Sequence, residues 1–141
     1  MKQALSIYAA VLAAVHASFL ALGFSGTAEI AFGALTIMSV MISAIFLWLW
    51  GMRMSPLSLG MAFSWAGAAM VMGWWWLHSL LGAPTWMLRS EIPLLLSALL
   101  LTGAVLHFEV IETSFGFRRG AFLLPVSGAL LLSLLLLALA G

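Results

Sequence analysis

Five runs of about twenty apolar residues, divided by short polar breaks, constrain this chain more than any other feature. They cover Ala4–Gly23, Ala28–Trp50, Leu57–Leu81, Ile92–Thr113 and Ala121–Ala140. A helix needs roughly 20 such residues to cross the hydrocarbon core of a bilayer. The breaks "GFSGTAE", "GMRMSP", "GAPTWMLRSE" and "SFGFRRG" hold Gly, Pro and Ser together with six of the nine charged residues. Only 6% of the chain is charged and 65% is hydrophobic. A soluble domain carries about 25% charged residues, so these few could not cover a globular surface. Lipid removes that difficulty, provided every backbone polar group is paired inside a helix. The expected fold is all-α, a polytopic bundle of five transmembrane helices forming one domain over residues 1–141. No linker is long enough for a second domain.

The start has a second reading. "MKQALSIYAAVLAAVHAS" also fits a signal peptide, with Val15 and Ala17 before a cleavage point. In that case four spans remain and His16 is lost.

The positive residues orient the spans. Lys2, Arg53, Arg118 and Arg119 fall on one side and Arg89 on the other. This predicts an integral protein of a bacterial inner membrane, with a cytoplasmic N-terminus and an external C-terminus. Trp48 and Trp50 then mark the inner boundary. Trp74, Trp75, Trp76 and Trp86 mark the outer one, where an apolar ring with a polar N–H is at home.

Several function classes drop out. The net charge of +1 gives no basic stripe for nucleic acid. The absence of cysteine removes thiolate metal sites and cysteine nucleophiles. No G-x-S-x-G, H-E-x-x-H or phosphate-cradling glycine loop is present. The one local acid–base stretch is His107-x-Glu109-x-x-Glu112, and helical spacing turns His107 about 160° from Glu109. An enzymatic role is therefore the weaker expectation.

All three histidines lie on small-residue faces, which predicts that they face the bundle. His16 shares its side with Ala9, within a small-xxx-small stripe of Ala9, Ala13 and Ala17. His78 lines up with Gly60 and Gly67. His107 has Gly103 one turn below it. Glu29, Gly33, Thr36 and Ser43 form a polar stripe on the second span. Glu91, Thr102 and Glu109, with Glu112 nearby, form one on the fourth. The leucine-rich fifth span reads as the most lipid-exposed.

Counted from the inner boundary at 1.5 Å per residue, Glu112 lies near 0 Å, Glu109 at about 5 Å and His107 at about 9 Å. His16 comes at about 18 Å, and His78, Glu29 and Glu91 at about 30 Å. Such a stagger suits translocation of protons or cations, by an oligomer or within a larger membrane complex. A metal variant uses His78, Glu29 and Glu91 as an outer site. Met52-x-Met54 and Met70-x-Met72 raise soft copper handling, although methionine also fills apolar gaps. A second reading is a haem b or quinone-binding subunit of an electron-transfer complex, with His16 and His107 as axial ligands. A third is an accessory or assembly subunit without chemistry. The remaining charged residues also fit helix ends meeting water.

The orientation predicts that a phosphatase fused after Gly141 is active while a fluorescent reporter at the same point is dark. The reverse pattern would place the C-terminus in the cytoplasm.

Overall fold

The computed structural model describes residues 2–116, 120–121 and 123–140. Arg118 and Arg119, two of the four positive residues on the expected cytoplasmic side, lie outside the described residues. Every regular element described is a helix: α1 (Lys2–Arg53), α2 (Pro56–Leu80), α3 (Thr85–Leu88), α4 (Ile92–Phe115) and α5 (Leu123–Ala140). Four of them, all but α3, are long and apolar enough to cross a membrane.

The difference from five spans lies in α1. Its 52 residues would run about 78 Å if straight, more than twice a hydrocarbon core of about 30 Å. It is not straight. Gly23 has φ 72° and ψ −173°, a conformation that costs a side-chain-bearing residue heavily. Across this break Ser18 Oγ and Thr27 Oγ1 stand 3.2 Å apart. In an unbroken helix residues nine apart are separated by about 13.5 Å. Val11 and Ala14 line one cleft together with Ala34 and Met38. The chain therefore folds back at Gly23 into two arms, 2–22 and 24–53. The expected polar break "GFSGTAE" is helical except at that one glycine.

Arm 24–53 packs antiparallel on α2, and α2 packs antiparallel on α4, while α1 and α4 barely touch. The polar stripe on arm 24–53 is the face that meets α2. Glu29 reaches Ser79, Gly33 sits under Trp76, Thr36 touches the Gly73 position, and Ser43 donates to the Ala62 carbonyl at 3.0 Å. The opposite side of α2 meets α4 through glycine. A Cβ on Gly67 would lie 2.5 Å from the Leu100 backbone nitrogen, and one on Gly103 would collide with the backbone of Ser64. The helices can sit this close only because these side chains are absent. The stripe of Glu91, Thr102 and Glu109 faces outward instead, since all three are exposed. The surface α4 turns to α2 is Leu100, Gly103, Leu106 and His107.

The bundle is inverted relative to a water-soluble core. Its buried residues are small or polar: Ala62, Ala69, Ser39, Ser43, Ser58 and Glu112, with Met87 the one large apolar side chain among those described. The leucines of α5 are exposed along its length, and no residue of α5 is buried. In a bilayer, whose tails are as apolar as leucine, nothing would drive those leucines inward.

The glycine contacts can be tested directly. Gly103→Ala should lower stability by about 1–3 kcal/mol, because the added methyl meets backbone that cannot rotate away. Gly51→Ala should be neutral or slightly stabilising, since a Cβ there meets nothing within 4 Å. Thermal unfolding in detergent measures both, and equal midpoints would refute the contact.

Candidate functional site

The ionisable side chains sit in three places. At the end of the bundle where α2 finishes, the Glu29 carboxylate accepts a 2.7 Å hydrogen bond from Ser79 Oγ. Both residues are held by the packing of arm 24–53 on α2. His78 precedes Ser79 and is half-buried, and its Nε2 is enclosed without a hydrogen-bond partner. Its ring stands edge-on to Trp75, with centroids 5.7 Å apart. Trp74 makes a similar edge contact with Trp86 at 6.1 Å, and its Nε1 is likewise enclosed and unpartnered. Trp76 covers Gly33.

Consecutive residues on a helix point about 100° apart, so the three tryptophans take different sides of α2. Trp75 is exposed, while Trp74 and Trp76 are half-buried.

Glu91 is exposed, and its backbone carbonyl caps the first turn of α4 by accepting from Leu94 and Leu95. It joins no cluster. Among the described residues, no three His or Glu side chains gather to hold a metal ion. The expected outer site of His78, Glu29 and Glu91 is therefore not assembled. Glu91 starts a helix beyond the α3 loop, whereas Glu29 is tied to the last turn of α2.

At the opposite end, Glu112 is buried, 7% exposed, and its Oε1 accepts the Gly120 N–H at 2.7 Å. The C-cap of α4 is the left-handed Gly116 at φ 66°. Glu109 is exposed. His107 is half-buried against α2, with Nδ1 at 2.6 Å from the Gly103 carbonyl oxygen and Nε2 at 3.0 Å from Met61 Sδ. Of the three side chains expected nearest the inner boundary, Glu112 thus accepts a backbone N–H beyond α4, Glu109 is exposed and His107 is packed against α2.

His16 stands apart from both ends. It lines an open cleft of about 320 Å³ between the two arms of α1, beside Val15, Phe19, Phe24 and Thr27. It is exposed, so the expectation that all three histidines face the bundle fails here. Arm 2–22 touches the rest only across the Gly23 fold, and Ser18 alone is half-buried among its described residues.

His16 and His107 do not fit a shared haem. His16 lines a cleft built wholly from α1, whereas His107 faces α2 from α4, and α1 and α4 barely touch. Both nitrogens of His107 already have close neighbours within the chain. The Met-x-Met pairs also differ in setting. Met52 and Met54 are exposed at 66% and 71%, and Met70 at 45%. The sequence reading passed over Met61, which carries no local motif and meets His107 only because α2 and α4 run antiparallel.

No family model matches the chain, and no curated protein or solved structure matches it either, so its function is argued from the geometry of these residues.

Proposed function

We propose that this chain is an integral membrane protein that crosses the bilayer five times and works as a subunit of a membrane assembly. The two arms of α1 supply two of the crossings, and α2, α4 and α5 supply the others. The observation that carries the reading is the exposure of His16 on arm 2–22, an arm on which Ser18 alone is half-buried among the described residues. An ionisable side chain facing hydrocarbon is costly, and such groups normally face protein or a water-filled cavity. The stripe of Ala9, Ala13 and Ala17 on the same arm lets another helix approach closely enough to cover the imidazole. A second copy of the chain is the occupant to test first.

Native mass spectrometry from mild detergent should show a multiple of the 15.1 kDa chain. Ala13→Leu should shift the population toward monomer, because a leucine keeps the partner helix at a distance. A protein that stays monomeric in detergent and in lipid nanodiscs across the accessible concentrations would overturn assembly with itself.

A second reading is translocation of protons or cations, and one observation favours it. The Ser79–Glu29 hydrogen bond and the enclosed, unpartnered Nε2 of His78 belong to adjacent residues in the last turn of α2, where proton donors and acceptors collect. Under this reading liposomes show a flux down an imposed gradient, and Glu29→Gln or His16→Leu abolishes it. Wild-type liposomes as tight as protein-free ones would reject it and leave assembly alone.

A further inference from the structure

The junction of arm 24–53 with α2 holds a cation that the chain itself does not balance. α1 ends at Arg53 and α2 begins at Pro56, so Met54 and Ser55 alone join two antiparallel helices. Beside this link lies a cleft of about 140 Å³. Three polar residues line it, Arg53, Ser55 and Ser58, with three apolar ones, Phe46, Leu49 and Leu57. No carboxylate is among the described residues of its wall. Arg53 is exposed and makes no hydrogen bond or ion pair with any described residue. Its guanidinium cannot be neutralised, and its fork of N–H donors matches the oxygens of a phosphate. The Ser58 hydroxyl already donates to the Ser55 carbonyl at 2.7 Å. The Ser55 hydroxyl makes no capping bond to α2, which leaves it as a second donor in the cleft.

Depth gives this wall its meaning. At 1.5 Å per residue arm 24–53 runs about 45 Å, the thickness of a bilayer with both headgroup layers. If its Gly23 end meets one surface, Arg53 reaches the headgroups of the other. Leu49 and Phe46 then lie about 6 and 10 Å deeper, beside the first methylenes of the acyl chains. The polar and apolar parts of the cleft thus follow the order of a phospholipid, from phosphate to tail. This end is also the one expected at the cytoplasmic leaflet, where anionic lipids attract basic residues.

We infer that the cleft binds one anionic phospholipid. Its phosphate pairs with the Arg53 guanidinium and accepts from the Ser55 hydroxyl. The start of its acyl chains lies against Phe46, Leu49 and Leu57. The cleft is smaller than pockets that enclose a whole organic ligand, so the tails continue along the exposed sides of the two helices. A free phosphate ion offers the same oxygens and leaves the apolar wall without a partner. A zwitterionic headgroup brings its own cation, which Arg53 repels. The inference rests on the membrane reading and is independent of self-assembly.

The test uses delipidated protein in mild detergent, titrated with dioleoylphosphatidylglycerol, dioleoylphosphatidylcholine or inorganic phosphate. Native mass spectrometry reads bound lipid and thermal unfolding reads stability. The wild type should retain one phosphatidylglycerol per chain in preference to phosphatidylcholine, and its unfolding midpoint should rise with it. Arg53→Gln should weaken retention roughly tenfold, beyond the about fivefold that a basic residue contributes merely by lying near an anionic surface. Ser55→Ala should weaken it roughly threefold. Arg89→Gln removes the same charge from the other end of the bundle and should change nothing. Circular dichroism checks that each variant keeps its helix content. Equal retention of the two lipids by the wild type overturns the site, and so does an Arg53→Gln protein that holds phosphatidylglycerol as tightly. An equal loss in Arg89→Gln would overturn it by tracing the binding to net charge. Inorganic phosphate that displaces the lipid and stabilises the protein as much would overturn the lipid assignment in favour of a free anion. Protein that stays dispersed without detergent would overturn the membrane reading and this site with it, whereas every other adverse result strikes the site alone.

Discussion

The close approach of α2 to its two neighbours holds this molecule together, and on each side glycine makes it possible. Toward arm 24–53 the contacts are Gly33 under Trp76 and Gly73 against Thr36. Toward α4 they are Gly67 against the Leu100 backbone and Gly103 against the Ser64 backbone. In lipid the burial of apolar surface does not favour protein over tails, so association depends on how closely atoms can meet. Removing a side chain at the crossing lets backbone meet backbone, and dispersion then acts over many atom pairs. Because α1 and α4 barely touch, α2 is the spine through which they are placed relative to each other. Elements without such contacts are correspondingly loose. Gly128 of α5 has open space around it, and α5 buries nothing.

Much of this was legible in the sequence, and the parts that were not share a physical reason. Helix extents followed from apolar runs and their stops. The breaks "GMRMSP" and "GAPTWMLRSE" separate helices as expected, and Pro56 and Pro93 sit in first turns where a missing N–H costs nothing. The stripe of Glu29, Gly33, Thr36 and Ser43 marks a packing face because it repeats on one side of a helix. The stripe of Glu91, Thr102 and Glu109 has the same kind of spacing and yet faces outward. Periodicity identifies a face and leaves open whether another helix lies on it. That depends on complementary small residues on a different segment, as Gly67 and Ser64 are to Leu100 and Gly103. "GFSGTAE" shows the same limit in a turn. Ser25, Gly26 and Thr27 are compatible with a helix once the chain has reversed, and Gly23 alone takes the reversal.

The polar groups sort themselves by the same logic. A group that the packing encloses usually finds a partner within the chain: Glu112 with the Gly120 N–H, Glu29 with Ser79, Ser43 with the Ala62 carbonyl, His107 with the Gly103 carbonyl. In a low-dielectric interior an unpaired polar atom is costly, so these bonds fix conformation more than they signal chemistry. Glu112 illustrates the point. Read along the helix it resembles a proton relay, and in three dimensions it is buried and accepts the Gly120 N–H beyond the end of α4.

Departures from that rule are therefore the informative positions. His78 Nε2 and Trp74 Nε1 are enclosed without partners at one end of the bundle, and His16 is exposed on an arm that carries small residues. Each is a polar atom whose surroundings within one chain do not balance it. For His16 the missing balance is steric and dielectric, and a neighbouring helix can supply it. For His78 and Trp74 it is a single hydrogen bond each, withheld by the packing that encloses them.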